Sequence, residues 1–341
     1  MALKKKPVTG MKDILPREME LRQYVLSEIR RTYKEFGFTE IETPVVEHIE
    51  NLLSKQGGDN EKLIFKVQKR GDKLESAFRS GDLDALADSG LRYDLTLPLS
   101  RFYSQNQAQL PSPFKALQIG PVFRADRPQK GRFREFVQCD IDIFGDGSNV
   151  AEIELILAIS TLLNRIGFGE KLKDVLPESV TDNLATIVET VAAVKSVHVK
   201  VLFDPTLVRG MGYYTGPIFE IRAEGFSGSV GGGGRYDRMV GKFTGQDTPA
   251  VGFSIGFERI ITIMLDADEK VPGEGTKVAF LLDKNLDRAK TAEAISEAMT
   301  RRLQGETVLV SRMNKNKKFQ KEQLTSEGYT EFKEFYQDSL Q

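Results

Sequence analysis

The segment Phe136-Val137-Gln138-Cys139-Asp140-Ile141-Asp142-Ile143 limits what this chain can fold into more than any other stretch. Side chains alternate across a β-strand, so Val137, Cys139, Ile141 and Ile143 share one face. Phe136, Gln138, Asp140 and Asp142 share the other. The first face is apolar and needs cover. The second carries two carboxylates and an amide, and burying it demands partners for each polar atom. Such a strand belongs in a sheet packed on one side, with its acidic side either solvated or the floor of a site.

The elements around it are legible from periodicity. Leu21, Val25, Ile29, Tyr33 and Phe36 recur every three or four residues, which predicts an amphipathic helix over 16–38 ending at Gly37. Residues 39–46 alternate as a strand that Pro44 places at an edge or bulge. An edge strand beside a long helix is a surface that a second copy of the chain could cover, and a homodimer is expected there. Arg70-Gly71-Asp72 reads as a hairpin-like turn between 62–67 and 73–74, and 75–90 as a surface insertion with weak helical character. Strands are expected at 91–94, 114–120, 197–203 and 218–222. Helices are expected at 95–103, at 149–166 with Asn149 as N-cap, around 181–194, and at 255–265. Pro272-Gly273-Glu274-Gly275 reads as a linker between a domain over 1–270 and a module over 276–341. In that module strand 278–282, helix 286–303, strand 307–310 and helix 317–324 make a β-α-β-α run.

Composition removes several function classes. With 40% hydrophobic and 28% charged residues over 341 positions, the chain is a folded one, with no apolar run long enough to cross a membrane. The basic Lys4-Lys5-Lys6 start has no apolar segment behind it, unlike a secretory signal. One cysteine and two histidines make an intramolecular disulfide impossible and a structural zinc site improbable, and no metal-ligand set is expected. We read a cytoplasmic protein. The balance of 48 Lys+Arg against 49 Asp+Glu does not announce a nucleic-acid binder. Local basic patches at 4–6 and 312–321 are either solvated faces or phosphate contacts.

Arg124 and Arg127 precede Pro128-Gln129-Lys130-Gly131, and Arg132 and Arg134 follow it. A turn with several guanidiniums suits a polyanion, since arginine makes forked hydrogen bonds to phosphate, or it is a solvated tip. The run Gly231-Gly232-Gly233-Gly234 lacks the lysine and hydroxyl of a phosphate loop, and more naturally lets backbone approach a substrate or another strand. His48 and His198 stand alone, so nucleophilic catalysis is not indicated. Chemistry by alignment and charge stabilisation remains.

Taken in order, these segments resemble the class II aminoacyl-tRNA synthetases, and the histidyl-tRNA synthetase family in particular. Glu35-Phe36-Gly37-Phe38-Thr39-Glu40-Ile41-Glu42-Thr43-Pro44 is similar to motif 1, and Leu91-Arg92-Tyr93-Asp94-Leu95-Thr96 to the amino-acid-site segment. Residues 123–136 followed by Gln138 resemble motif 2, and 252–259 resemble motif 3. Residues 207–216, containing Arg209-Gly210-Met211-Gly212-Tyr213-Tyr214, are similar to the segment peculiar to the histidine enzymes.

The resemblance implies an α+β fold, with an antiparallel sheet flanked by helices and a small C-terminal α/β anticodon-binding-like module. It implies a histidine–tRNA ligase that uses ATP with Mg2+. Arg124 would hold the α-phosphate, Arg132 and Arg259 the outer phosphates, and Asp126 belongs to the same ATP-binding motif. Arg209 would stabilise the transition state. Asp94 would take the α-amino group of histidine, with Gln138, Tyr213 and Tyr214 lining its pocket. Arg127 and Gln129 would meet the tRNA acceptor end, and the lysines of 315–321 its anticodon arm. Asp126 stands where the family usually has glutamate and Gly212 where it has aspartate, and residues 167–196 are short for the family's insertion. Two other functions fit the same fold: a histidine-sensing regulatory paralogue, like the regulatory subunit of ATP phosphoribosyltransferase, or histidine adenylation without tRNA charging.

Overall fold

The computed structural model describes residues 3–53, 63–128, 132–168, 182–193, 204, 207, 212–223, 226, 228–269, 271–272 and 276–337. Two compact units emerge, one of Met1–Asp13 with Tyr24–Asp268 and one of Ile14–Gln23 with Glu269–Gln341. The expected segment 197–203 and most of the 272–275 linker lie outside the described residues.

Helix α1, Pro16–Glu35, opens on a proline whose missing N–H costs nothing at the first helical position. Its stripe is buried, with Val25, Ile29 and Tyr33 at 0% exposure. Gly37 ends it with φ +80°, the Gly37 N–H donates to Lys34 O and Phe38 N–H to Tyr33 O, and the Phe38 ring packs on Tyr33. That is a Schellman stop with its hydrophobic contact. Strand β1, Thr39–Ile41, is shorter than expected. The strand to residue 46 is broken because Pro44 has no N–H for a ladder and Thr43 turns inward, at 3% exposure. Val46–His48 (β2) then joins a different sheet, followed by α2 (Ile49–Leu52), with His48 at its exposed start.

The expected hairpin at Arg70-Gly71-Asp72 is not one. After β3 (Lys66–Gln68), Gly71 with φ +56° leads into helix α3, Asp72–Ser80. The supposed insertion ends in β4, Ala87–Leu91, which is central in the sheet β2-β4-β3, and 92–94 are not strand.

Helix α4 (Thr96–Asn106), strands β5 (Phe114–Phe123) and β6 (Glu135–Phe144), and helix α5 (Asn149–Arg165) follow as expected, although the N-cap is Ser148, whose Oγ accepts from Val150 N–H at 3.3 Å. Then come α6 (Asp182–Ala193), β7 (Ile218–Arg222), β8 (Ser229–Arg235), α7 (Gly241–Thr244), β9 (Ala250–Ile255) and α8 (Phe257–Asp266). Ile255 closes β9 rather than opening the helix. Among the described residues the main sheet has the order β1-β5-β6-β9-β8-β7, with β1 parallel to β5 and every other pair antiparallel. α5 and α8 pack on β6, and Cys139, Ile141 and Ile143 are at most 1% exposed.

The second unit is built on β10, Lys277–Leu282, which is buried along its length and parallel to both β11 (Thr307–Arg312) and β12 (Glu331–Phe335). Val278, Phe280 and Leu282 face Ala294 and Ala298 of α9 (Arg288–Leu303). Ala279 and Leu281 face Leu324 of α10 (Lys317–Ser326). A strand covered on both sides reads as an unbroken apolar run. The run is β-α-β-α-β; β12 was not anticipated, because Glu331-Phe332-Lys333-Glu334-Phe335 is too charged to stand out.

Candidate active site

The uncovered face of the main sheet forms a cavity of about 1030 Å³. Its floor is the polar side of β6. Gln138, Asp140 and Asp142 line it, as the alternation required, with Ser254 and Gly252 of β9 in register opposite Asp140 and Asp142. A Cβ at Gly252 would overlap Asp142 Oδ1, so only glycine leaves that carboxylate room. The glycine run lies inside β8, and a Cβ at Gly233 would collide with Gly252 O, which makes the run a close strand-to-strand approach.

The floor is buried and under-satisfied. Asp140 and Asp142 are 3% and 2% exposed. Gln138 Nε2 donates to Ser254 Oγ at 3.0 Å, and Tyr236 OH donates to Asp142 Oδ1 at 2.5 Å. Gln138 Oε1, Asp140 Oδ1 and Asp142 Oδ2 find no partner among the described residues. Burial pushes the Asp142 carboxyl up to about 7 against the Tyr236 hydrogen bond, which lowers it, and the nearby Asp94 raises it further. Asp140 is raised well above the carboxylate range by burial first and by Asp142 next. Buried polar atoms left without partners mark a place prepared for a ligand that brings donors.

Asp94 stands just before α4, with Oδ1 accepting from Leu97 N–H at 3.2 Å and Oδ2 unpartnered among the described residues. Burial raises its pKa although Leu97 N–H, Arg124 and Lys242 pull it down. Tyr213 is hydrogen-bonded to Thr96, and its ring lies 4.9 Å from Tyr214 and 6.0 Å from Tyr236. Gly234 makes space for the Tyr214 ring, whose Cδ1 would lie 2.9 Å from a Cβ there. Three tyrosines and three acids thus enclose one end of the cavity.

The other end is cationic. Arg124 Nε donates to Tyr93 O at 2.9 Å, and its guanidinium lies 5.0 Å from the centre of the Phe136 ring. Arg132 approaches Asp126 at 3.9 Å, so the short acid still reaches its neighbour. Arg259 Nη1 donates to Ser229 O, and Arg222 pairs with Glu220 at 2.8 Å. An acidic, apolar-walled floor next to an arginine rim fits a small cation with hydrogen-bond donors joined to a polyanion.

Eight residues singled out in the sequence, Asp94, Arg124, Asp126, Arg132, Gln138, Tyr213, Tyr214 and Arg259, line this one cavity. Arg127 is exposed and is not among the lining residues. Arg209 and Gln129 lie outside the described residues. Asp140, Asp142, Tyr236 and Ser254 were missed as site residues, although the strand alternation had already put both acids on the polar face.

The family model described as Histidyl-tRNA synthetase matches residues 10–174 and 169–260. A histidine–tRNA ligase of Leifsonia xyli is 40% identical over 344 residues, covering 76% of this chain and 80% of that protein. A probable histidine–tRNA ligase of Tropheryma whipplei is 36% identical over 420 residues, covering 98% of this chain and 96% of its own. That alignment is longer than the 341 residues of the chain, so it closes only with gaps on this side. In fold, the chain is similar to the crystal structure of histidyl-tRNA synthetase from Nostoc, with TM-score 0.72, 22% identity, and 96% of this chain and 90% of that one covered.

Proposed function

The chain belongs to the histidyl-tRNA synthetase family, and on that footing we propose that its cleft activates L-histidine with ATP and transfers it to histidine tRNA. The observation that carries this reading is the junction, in one cavity, of an acidic floor with orphaned acceptors and a rim of arginines. Histidine brings an α-ammonium and an imidazole N–H, the donors the floor lacks. Asp94 Oδ2 and Gln138 Oε1 take the ammonium. Asp142, steadied by Tyr236, offers Oδ2 to the imidazole, with Tyr213 and Tyr214 against the ring.

The histidine carboxylate then points to the arginine end. One of its oxygens attacks the α-phosphorus of ATP, the bond to the β-phosphate oxygen breaks, and pyrophosphate leaves. The protein contributes alignment and charge. Arg124 holds the α-phosphate, Arg132 and Arg259 the outer ones, with Asp126 beside Arg132; Arg209, by the family resemblance, neutralises the charge that builds on the α-phosphoryl oxygens. A ribose hydroxyl of the tRNA terminus next attacks the acyl carbon and AMP departs. Arg127 and Gln129 meet the acceptor end. Magnesium takes oxygen donors and keeps much of its water, so a nucleotide-borne ion would need only one or two carboxylates, and Glu220 and Glu258 on the cavity wall would be the ones to hold it, Glu220 by giving up its pair with Arg222. Its contribution when bound is neutralisation of phosphate charge.

The arginine rim favours a ligase over a histidine-sensing regulator, since a regulator that binds no ATP has no use for it. We assign the protein to a homodimer built on α1 and β1, in the cytoplasm. Histidine-dependent ATP–pyrophosphate exchange, followed by charging of histidine tRNA on the same preparation, tests the reading. Absence of exchange would favour the regulator, and exchange without charging would reduce the function to adenylation. A monomer by light scattering at micromolar concentration would remove the dimer.

A further inference from the structure

Arg92 does not line the cleft, yet it is among the largest fully buried side chains, at 2% exposure. Its Nε donates to Pro121 O at 2.9 Å, and its Nη1 donates to Thr43 O at 2.6 Å and to Thr43 Oγ1 at 3.1 Å. Its backbone N–H donates to Val45 O and its carbonyl accepts from Phe123 N–H, both at 2.9 Å. One residue therefore binds the loop after β1 to the end of β5. Thr43 Oγ1 also accepts from Gln118 Nε2 at 2.5 Å, and Gln118 is the registered neighbour of floor residue Asp140. Glu42 and Asp140 are the carboxylates that offset the burial of the guanidinium charge.

What hangs from this bolt is the site. Tyr93, the next residue, supplies the carbonyl that Arg124 Nε holds, and the one after it is Asp94. The proposed ammonium acceptor and the proposed α-phosphate ligand thus take their positions from the same short stretch of backbone. A planar cation with fixed donors holds two carbonyl-bearing segments, the Thr43–Pro44 loop and the end of β5, in one geometry, which a flexible or apolar side chain cannot do.

We infer that Arg92 is a positioning residue of the adenylation site, setting the placement of Asp94 against Arg124 and tying both to the Thr43–Pro44 loop. The inference rests on the ligase reading above. Two substitutions test it from different sides. Arg92→Lys keeps the charge and loses the fork. Gly120→Ala leaves every donor and acceptor intact, but its Cβ would collide with Arg92 Nη2, and the three nearest atoms all belong to Arg92. Each variant is assayed for histidine-dependent ATP–pyrophosphate exchange, with active sites counted by adenylate burst and folding followed by circular dichroism. Misplacement by about an ångström can cost up to a hundredfold in rate, so KM for histidine should rise and kcat per active site should fall, each by roughly tenfold. A structural role alone would lower the number of active sites and leave KM and kcat per site unchanged; that result, in either variant, overturns the inference. If Arg92→Lys fails to fold, Gly120→Ala decides. A parent enzyme without exchange overturns the ligase reading, and the inference with it, whereas a working parent with unaltered variants sinks the inference alone.

Discussion

Asp142 in the cleft and Glu334 in the C-terminal unit are both carboxylates that accept a hydrogen bond from a tyrosine hydroxyl, Tyr236 for one and Tyr336 for the other. Their surroundings send them in opposite directions. Asp142 is 2% exposed, has no ion-pair partner among the described residues, and is pushed up to about 7 by burial. Glu334 is partly exposed, with Lys317 Nζ at 2.7 Å and Lys321 Nζ at 2.6 Å, and is held down to about 2 by those hydrogen bonds. A phenol does not decide the state of an acid; desolvation and available cations do. The orphaned acid is the one that a ligand can complete. The paired acid is already complete, and the basic patch at 315–321 is correspondingly less free for phosphate than its composition implied.

The largest effect should come from Asp142→Asn. Removing a charged acceptor from the imidazole should lower kcat/KM for histidine in exchange roughly a hundredfold, the worth of a hydrogen bond to a charged group. A loss below threefold would make Asp142 a bystander and erase half the comparison.

The same substitution should stabilise the empty protein. Asp142 ionises near 3.8 when unfolded and near 7 when folded, so between those values the native state holds the extra proton. Stability therefore falls as pH rises through that window, and the full penalty is present above about 7. Asp142→Asn should gain on the order of 2–4 kcal/mol at pH 8, by urea unfolding, and almost nothing near pH 4. An equal gain at both pH values would show that ionisation is not the cause. Stability bought at the site's expense is the usual trade.

Next in size is Tyr236→Phe, which leaves Asp142 with both oxygens free. A roughly tenfold rise in KM for histidine is expected. An unchanged KM would mean that Gly252 and the strand hold the carboxylate without the phenol.

Glu334→Gln should do least. Its depressed pKa gives a contribution present above about 4.5 and lost as pH falls toward 2, but the lysines reach into solvent and the pair is screened. We expect a change in unfolding free energy below about 1 kcal/mol, further reduced by salt, with histidine–ATP exchange untouched. The lysines can be asked directly about tRNA. Replacing Lys315, Lys317 and Lys318 by alanine should flatten the salt dependence of tRNA binding by at most about one unit per lysine, and least for Lys317, which is already paired. A slope that does not change at all would make the patch a solvated face.

The cleft floor could be read from the sequence because alternation is a two-residue signal that needs no distant information. The same logic failed where the decisive partner lies far along the chain. The strand through Pro44 broke because Thr43 turns in to meet Arg92, a contact 49 residues away. Gly71 looked like a hairpin turn, but its left-handed backbone opens a helix, and both uses call for the same glycine. β12 was missed since its pairing with β10, not its composition, makes it a strand. Asp140 and Asp142 were on the right face, yet only Gln138 was given a role, because nothing local says which polar atoms remain unpaired once Tyr236 and Ser254 arrive.

Gly231 to Gly234 in β8 carry one last implication. Each glycine gives up about 0.5–1 kcal/mol more backbone freedom than alanine when it is ordered, so between Val230 and Arg235 the strand is held by its ladders to β7 and β9 alone. Those four positions have no side chains with which to grip the floor they help to build. A nucleotide lying along them would supply the missing contacts, so part of the entropy lost on binding would belong to the protein rather than to the ligand.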